Sequence, residues 1–172
     1  MPTPRIFTAA ALSCGILVPF CSLHASPREQ HPNTVRIEVL GRSLVYGLQY
    51  ERSWTRRWST GAGFAHVDAG AESGENRPST ALIPVYIHYA LREESPCWSV
   101  TGGLTWVSNA AAMSGKTAIL GSLRFPSTPL LPHLGVGYSI RQGNGFAFRW
   151  EGLLTRGDSP TFSTGFSLGY AF

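Results

Sequence analysis

Eight polar side chains recur at alternate positions inside otherwise apolar segments: Arg36 and Glu38, Gln49 and Glu51, His88, Arg141, and Arg149 and Glu151. Carboxylates and guanidiniums two residues apart share one face of an extended strand. They are therefore candidates for one buried ionic cluster. Such a cluster persists only where each charge has a partner, because an unpaired ion taken out of water is strongly unfavourable. Other chemistry is thinly represented. His31 lies near the N-terminus, while His66 and His133 fall at expected strand ends, a scatter that gives no metal-ligand spacing. Neither GxSxG nor HExxH occurs. The sequence thus assigns no catalytic, cofactor-binding or metal residues, and the expectation is a protein that is not an enzyme.

The elements that must position the charged set follow from composition and period. The chain has 172 residues, with 14 Lys+Arg against 10 Asp+Glu, 19 Gly, 43% hydrophobic and only 14% charged residues. That is material for one domain, and the charge lies well below the ~25% usual in soluble domains. Arg5 is the only charge in residues 1–25; Ile6 to Phe20 is mostly apolar, and Ser22-Leu23-His24-Ala25 could end at a signal-peptidase site. The expected organisation is a signal peptide over 1–25, a short N-terminal tail over 26–33 and a barrel domain over 34–172. No apolar run reaches the ~18 residues that a helical membrane span needs. Without Arg5 the 14 basic residues become 13 against 10 acids, a net of +3, too weak to argue for nucleic acid. Cys14 and Cys21 fall in the leader, so Cys97 stands alone after cleavage, as a small half-buried strand residue with no disulfide partner. Ala11-Leu12-Ser13 is a poor lipobox before Cys14.

From Thr34 onward the dominant signal is alternation with a period of two. Over 161–172, Phe162, Phe166, Leu168, Tyr170 and Phe172 oppose Ser163, Gly165, Ser167, Gly169 and Ala171. Similar contrasts set Phe146, Phe148 and Trp150 against Ala147, Arg149 and Glu151, and Trp98, Val100, Leu104 and Trp106 against Ser99, Thr101, Gly103 and Thr105. A soluble barrel would bury the bulky face and cover the other with Lys and Glu. Here the second face is small or ionic, which suits a narrow lumen, and the bulky face suits a lipid-facing band. Backbone in lipid must be fully paired, so such strands must close. Eight segments are counted: 34–40, 44–52, a third ending before 69, 80–91, one from 97, 133–142, 145–156 and 161–172. Short turns lie at 53–56, 92–96 and Gly143-Asn144-Gly145, with longer loops at 69–79 and 109–132 on the opposite side. The expected fold is all-β, an eight-stranded antiparallel up-and-down transmembrane β-barrel, with ten strands as the alternative if Lys116 to Phe125 also spans. Pro84 inside 80–91 should remove one ladder bond.

The ending Gly165-Phe-Ser-Leu-Gly-Tyr-Ala-Phe172 resembles the closing strand of Gram-negative outer-membrane barrels. That resemblance implies that Phe166, Leu168, Tyr170 and Phe172 form an assembly signal read by the barrel assembly machinery. The segments IEVLGRSLVYGLQYER (37–52), LIPVYIHYAL (82–91) and GYSIRQGNGFAFRWEGLL (137–154) resemble small, uncharacterised outer-membrane barrel proteins of Bacteroidetes-type bacteria. The resemblance covers most of the chain beyond the leader, departs in 116–132, and implies fold and location without an activity. Ile87-His88-Tyr89 is also similar to the histidine segment of lipid A deacylases, where a Ser nucleophile follows two residues after the His; here Ala90 stands in that place.

The function expected on these grounds is a structural or surface-interaction protein of the cell outer membrane, reached by secretion, with a charge-plugged lumen in place of an open pore. Its expected surroundings are outer-membrane lipid and lipopolysaccharide, it is expected to be monomeric, and no cofactor is implied. Recognition would fall to Ala69 to Ser79, next to Asp68 and including Glu72, Glu75 and Arg77, and to 109–132 with Leu130-Leu131 between prolines. The alternatives are a soluble periplasmic lipid-binding barrel and a lipid-modifying outer-membrane enzyme.

Overall fold

A computed structural model describes residues 27–43, 46–68, 79–110 and 127–172. The expected leader (1–25), Leu44 and Val45, the loop acids Glu72 and Glu75 with Arg77, and Lys116 to Phe125 lie outside these residues. Eight antiparallel strands follow one another around a closed barrel: β1 (Asn33–Leu40), β2 (Tyr46–Ser53), β3 (Trp58–Asp68), β4 (Ser79–Ala90), β5 (Cys97–Val107), β6 (Leu130–Arg141), β7 (Phe146–Arg156) and β8 (Pro160–Ala171). β8 closes on β1 from Thr34↔Ala171 to Leu40↔Gly165. Closure at eight overturns the ten-strand alternative, because β1 and β8 occupy each other's free edges and leave no place for another pair.

Asn33, Ala171 and the three connections 54–57, 91–96 and 142–145 share one end, called here the short-turn end; the short connections β1–β2 and β7–β8 and the long ones β3–β4 and β5–β6 lie at the other, the long-connection end. The Gly143–Gly145 hairpin is tight. Gln142 N donates to Phe146 O at 2.9 Å and Gly145 N to Gln142 O at 3.1 Å, with Gly145 at φ +91°, where a side chain would be strained. At Pro84 the β3–β4 ladder is interrupted: Ala62↔Val85 and Ala65↔Leu82 pair, with nothing paired between them. Both pairs keep one register, and the β5 side of β4 pairs continuously from Leu82 to Ala90. Proline therefore costs local ladder bonds without shifting the strand.

Two segments differ from expectation. β6 begins at Leu130, so Leu130 and Leu131 belong to the wall and not to the outer loop, with Leu131 buried inside and Leu130 exposed outside. Two prolines flanking an apolar pair read as a loop, but Pro132 is tolerated within the strand. In consequence His133 lies well inside β6 and faces the interior. The N-terminal tail is also ordered. Pro27–Gln30 form one helical turn, α1, and Pro32 O accepts from Ser53 N at 2.7 Å.

Large apolar side chains face outward all round the wall, among them Ile37, Leu48, Val85, Ile87, Val100, Leu134, Val136 and Leu168. The four residues of the C-terminal motif are all exposed, Phe166, Leu168 and Tyr170 on β8 and Phe172 just past its end. Inside, the filling changes along the axis. Val67, Leu82, Val107, Leu131 and Leu153 form a buried apolar layer towards the long-connection end, and polar groups fill the rest.

Candidate functional site: the charge-filled interior

All eight polar residues singled out in the sequence are buried inside the barrel, and they belong to one connected network. Its centre is Glu51 on β2. Oε2 of Glu51 accepts from Arg36 Nη1 at 2.7 Å and from Arg149 Nη2 at 2.6 Å, while Arg141 Nη2 lies 3.6 Å from Oε1. Ser59 Oγ donates to Oε1 at 3.0 Å, and His88 Nδ1 lies 3.3 Å from that hydroxyl. The Ser59 proton thus points at a carboxylate, which leaves its oxygen to accept from the His88 ring. Alternation explains the convergence: Arg36, Glu51 and Arg149 sit on inward positions of three strands that the closed ladder brings within one cross-section.

A second group lies nearer the long-connection end. Glu151 accepts from Arg42 Nη2 and, at 2.9 Å, from Thr101 Oγ1; Arg149 Nε is 3.7 Å away and joins the two groups. Arg42 Nη1 also reaches Glu38 at 3.3 Å and Gln49 Oε1 at 3.4 Å. Its guanidinium stacks 4.0 Å from the centroid of the Tyr86 ring, whose hydroxyl donates to Gln49 Oε1 at 3.2 Å. The ring itself fits because β3 has Gly61 directly opposite it. A Cβ on Gly61 would lie 2.3 Å from Tyr86 Cζ. The small residues facing the interior thus make room for large neighbours one strand away.

Sequence reasoning missed Arg42, Arg28, Tyr86 and His133. Arg42 was hidden in the break between β1 and β2, where Leu40 (φ 62°) and Gly41 (φ 75°) are both left-handed and fold the chain back into the barrel mouth. Arg28 was hidden in the tail. It is buried at the short-turn end, its Nη2 4.0 Å from Cys97 Sγ, so Cys97 is buried next to a basic group rather than half-buried and unflanked. Burial first, then the neighbouring Arg149 and Arg36, hold the Arg28 guanidinium below its ordinary value, against the pull of Glu51 and Cys97. The tail is fixed by further contacts: Glu29 pairs with Arg56 at 2.6 Å, His31 Nε2 lies 3.1 Å from Gly143 O, and Arg141 Nη1 donates to His31 O at 3.3 Å. His133 Nδ1 lies 3.4 Å from Thr105 Oγ1.

The two residues compared with the deacylase segment, His88 and Ala90, both face inward and are fully buried. Among the described residues no three of His, Cys, Asp and Glu are grouped so as to hold a metal ion. In comparison with known proteins the chain matches no family model, no curated sequence and no solved structure.

Proposed function

We propose that this chain is an outer-membrane β-barrel protein with a structural or surface-interaction role, its lumen filled by an ionic network instead of an open channel. One observation carries the reading: the barrel is inverted, with Arg36, Glu51, Arg149 and Glu151 buried inside while Ile37, Leu48, Ile87, Val136 and Leu168 are exposed outside. In water that arrangement would leave an apolar surface around the whole wall, far beyond what soluble monomers expose. In a bilayer both faces are satisfied.

Other features agree. Exposed aromatic side chains occur towards both rims, though Phe64, Trp150 and Phe166 lie at mid-wall. Tyr50, Trp54, Trp58, Trp98, Phe146 and Tyr170 lie near the short-turn end, while Tyr46, Trp106 and Phe162 lie near the other. Trp58 and Tyr89 pack with ring centroids 4.6 Å apart, and Trp98 and Tyr138 at 5.5 Å. The start of β1, the end of β8 and three connections of four to six residues share one end, and both connections of ten residues or more lie at the other, the pattern of barrels inserted from the periplasm. On this reading the chain is secreted, is folded by the barrel assembly machinery through its aromatic C-terminal strand, meets outer-membrane lipid and lipopolysaccharide, and acts as a monomer. A soluble lipid-binding barrel is disfavoured because its ligand would need the space that the Glu51 and Glu151 network occupies. A lipid-modifying enzyme is disfavoured because His88 faces the interior.

The test is electrophoresis of the outer-membrane fraction with and without boiling. A heat-dependent change in migration in that fraction is expected. Recovery of the protein as a soluble periplasmic species would overturn the proposal.

A further inference from the structure

The interior is not electrically balanced among the described residues. Arg28, Arg36, Arg42, Arg141 and Arg149 are buried with Glu38, Glu51 and Glu151, so five guanidiniums against three carboxylates leave a net of +2. The excess is local. Glu38 pairs with Arg42, and Glu151 with Arg42 and Arg149, towards the long-connection end, so at the short-turn end Arg36 and Arg141 share Glu51 with Arg149, and Arg28 lies within its field. The undescribed N-terminal residues cannot neutralise it, since residues 1–26 contain no Asp or Glu. The undescribed connections 69–78 and 111–126 leave the opposite end.

Three of these four guanidiniums also hold buried nitrogens with no hydrogen-bond partner among the described residues: Arg28 Nη1, Arg36 Nε and Arg149 Nη1. Arg141 is satisfied by Thr34 Oγ1 at 2.6 Å and Ser53 Oγ at 3.1 Å. Buried, unpartnered donors on cations are the costliest kind of unmet polar group, and one anionic acceptor could serve several of them. We propose that the short-turn end of the barrel interior binds a small inorganic anion, held by Arg28, Arg36 and Arg149 beneath α1. Arg28 is the one ligand that comes from α1 and not from the wall, so its side chain can be displaced by the ion without breaking a ladder bond. The barrel wall supplies the other two ligands, and the field of Arg141 adds to theirs. This holds whatever surrounds the barrel.

The test uses the folded full chain in sodium chloride or sodium gluconate at equal ionic strength. Chloride is expected to raise the midpoint of heat-induced unfolding saturably and to broaden the chloride NMR line, with inorganic phosphate competing. Arg28→Gln should weaken half-saturation by about tenfold, the loss of one charge-assisted hydrogen bond. Cys97→Asp is the sharper variant, because Sγ lies 4.0 Å from Arg28 Nη2 and a carboxylate there supplies the missing charge from within. It should fold, and its stability should no longer depend on chloride. Equal midpoints in the two salts, or the same chloride response in both variants, would mean an adventitious ion only and would overturn the proposal. So would a Cys97→Asp chain that fails to fold while Cys97→Asn folds.

Discussion

Replacing Glu51 with Gln removes the one carboxylate that Arg36, Arg141 and Arg149 share, while keeping its volume. Two guanidinium contacts at 2.7 and 2.6 Å and one at 3.6 Å lose their counter-charge. At an effective dielectric near 20, each close pair is worth about 4 kcal/mol of attraction. Folding has already desolvated all three cations, and the substitution returns none of that cost. Glu51 is 1% exposed, so water cannot readily replace the carboxylate. The new amide also turns donors towards donors. A net loss of about 3–5 kcal/mol is expected, the range for removing one partner of a buried ion pair. Urea unfolding of the barrel in lipid vesicles, followed by fluorescence of its five tryptophans, measures it. Adding Arg36→Gln removes a cation whose ion pair is with Glu51, so the double variant should be less destabilised than the two single losses summed, by about 1 kcal/mol or more. A single-variant loss below about 1 kcal/mol, or strictly additive losses, would refute the idea that the charges inside are mutually dependent.

Leu168→Arg sets a charge on the outward face of β8 and should cost about 2–4 kcal/mol if it lies near a bilayer midplane, whereas a wall facing water would tolerate it; unfolding in vesicles decides. Gly61→Ala pushes a Cβ into the Tyr86 ring and should destabilise by about 1–3 kcal/mol, and combining it with Tyr86→Leu should recover part of that loss in the same assay. The Asp158 carboxyl is held below its ordinary value by the Ser127 hydroxyl at 2.6 Å and the Ser127 backbone N–H at 2.9 Å. Because the folded-state value is depressed, this contact is present above the unfolded value and is lost as pH falls through the folded one. Amide exchange at Ser127 should therefore lose protection, relative to the wall strands, on acidification below the ordinary aspartate range, and Asp158→Asn should flatten that dependence.

What the sequence by itself determined is what repeats every two residues. The contrast of Phe166, Leu168 and Tyr170 with Gly165, Ser167 and Gly169 assigns faces without any knowledge of partners, because alternation is a property of the extended backbone alone. The same period put Arg36, Glu51, Arg149 and Glu151 on one side, and the spacing of turns gave the strand count and the end on which each connection lies. The tertiary structure decided which charges meet and how many there are. Arg149 finds Glu51 at a separation of 98 residues and Arg42 finds Glu151 at 109, distances along the chain that only closure of β8 on β1 resolves. Arg28 and Arg42 enter the interior from α1 and from a left-handed turn, where no period operates, and Leu131 and His133 join it because β6 starts earlier than its prolines suggest. From the strands alone, three arginines and three glutamates balance. The two arginines added by non-repeating backbone turn that balance into an excess of positive charge, which is a property of the folded barrel and not of any segment of it.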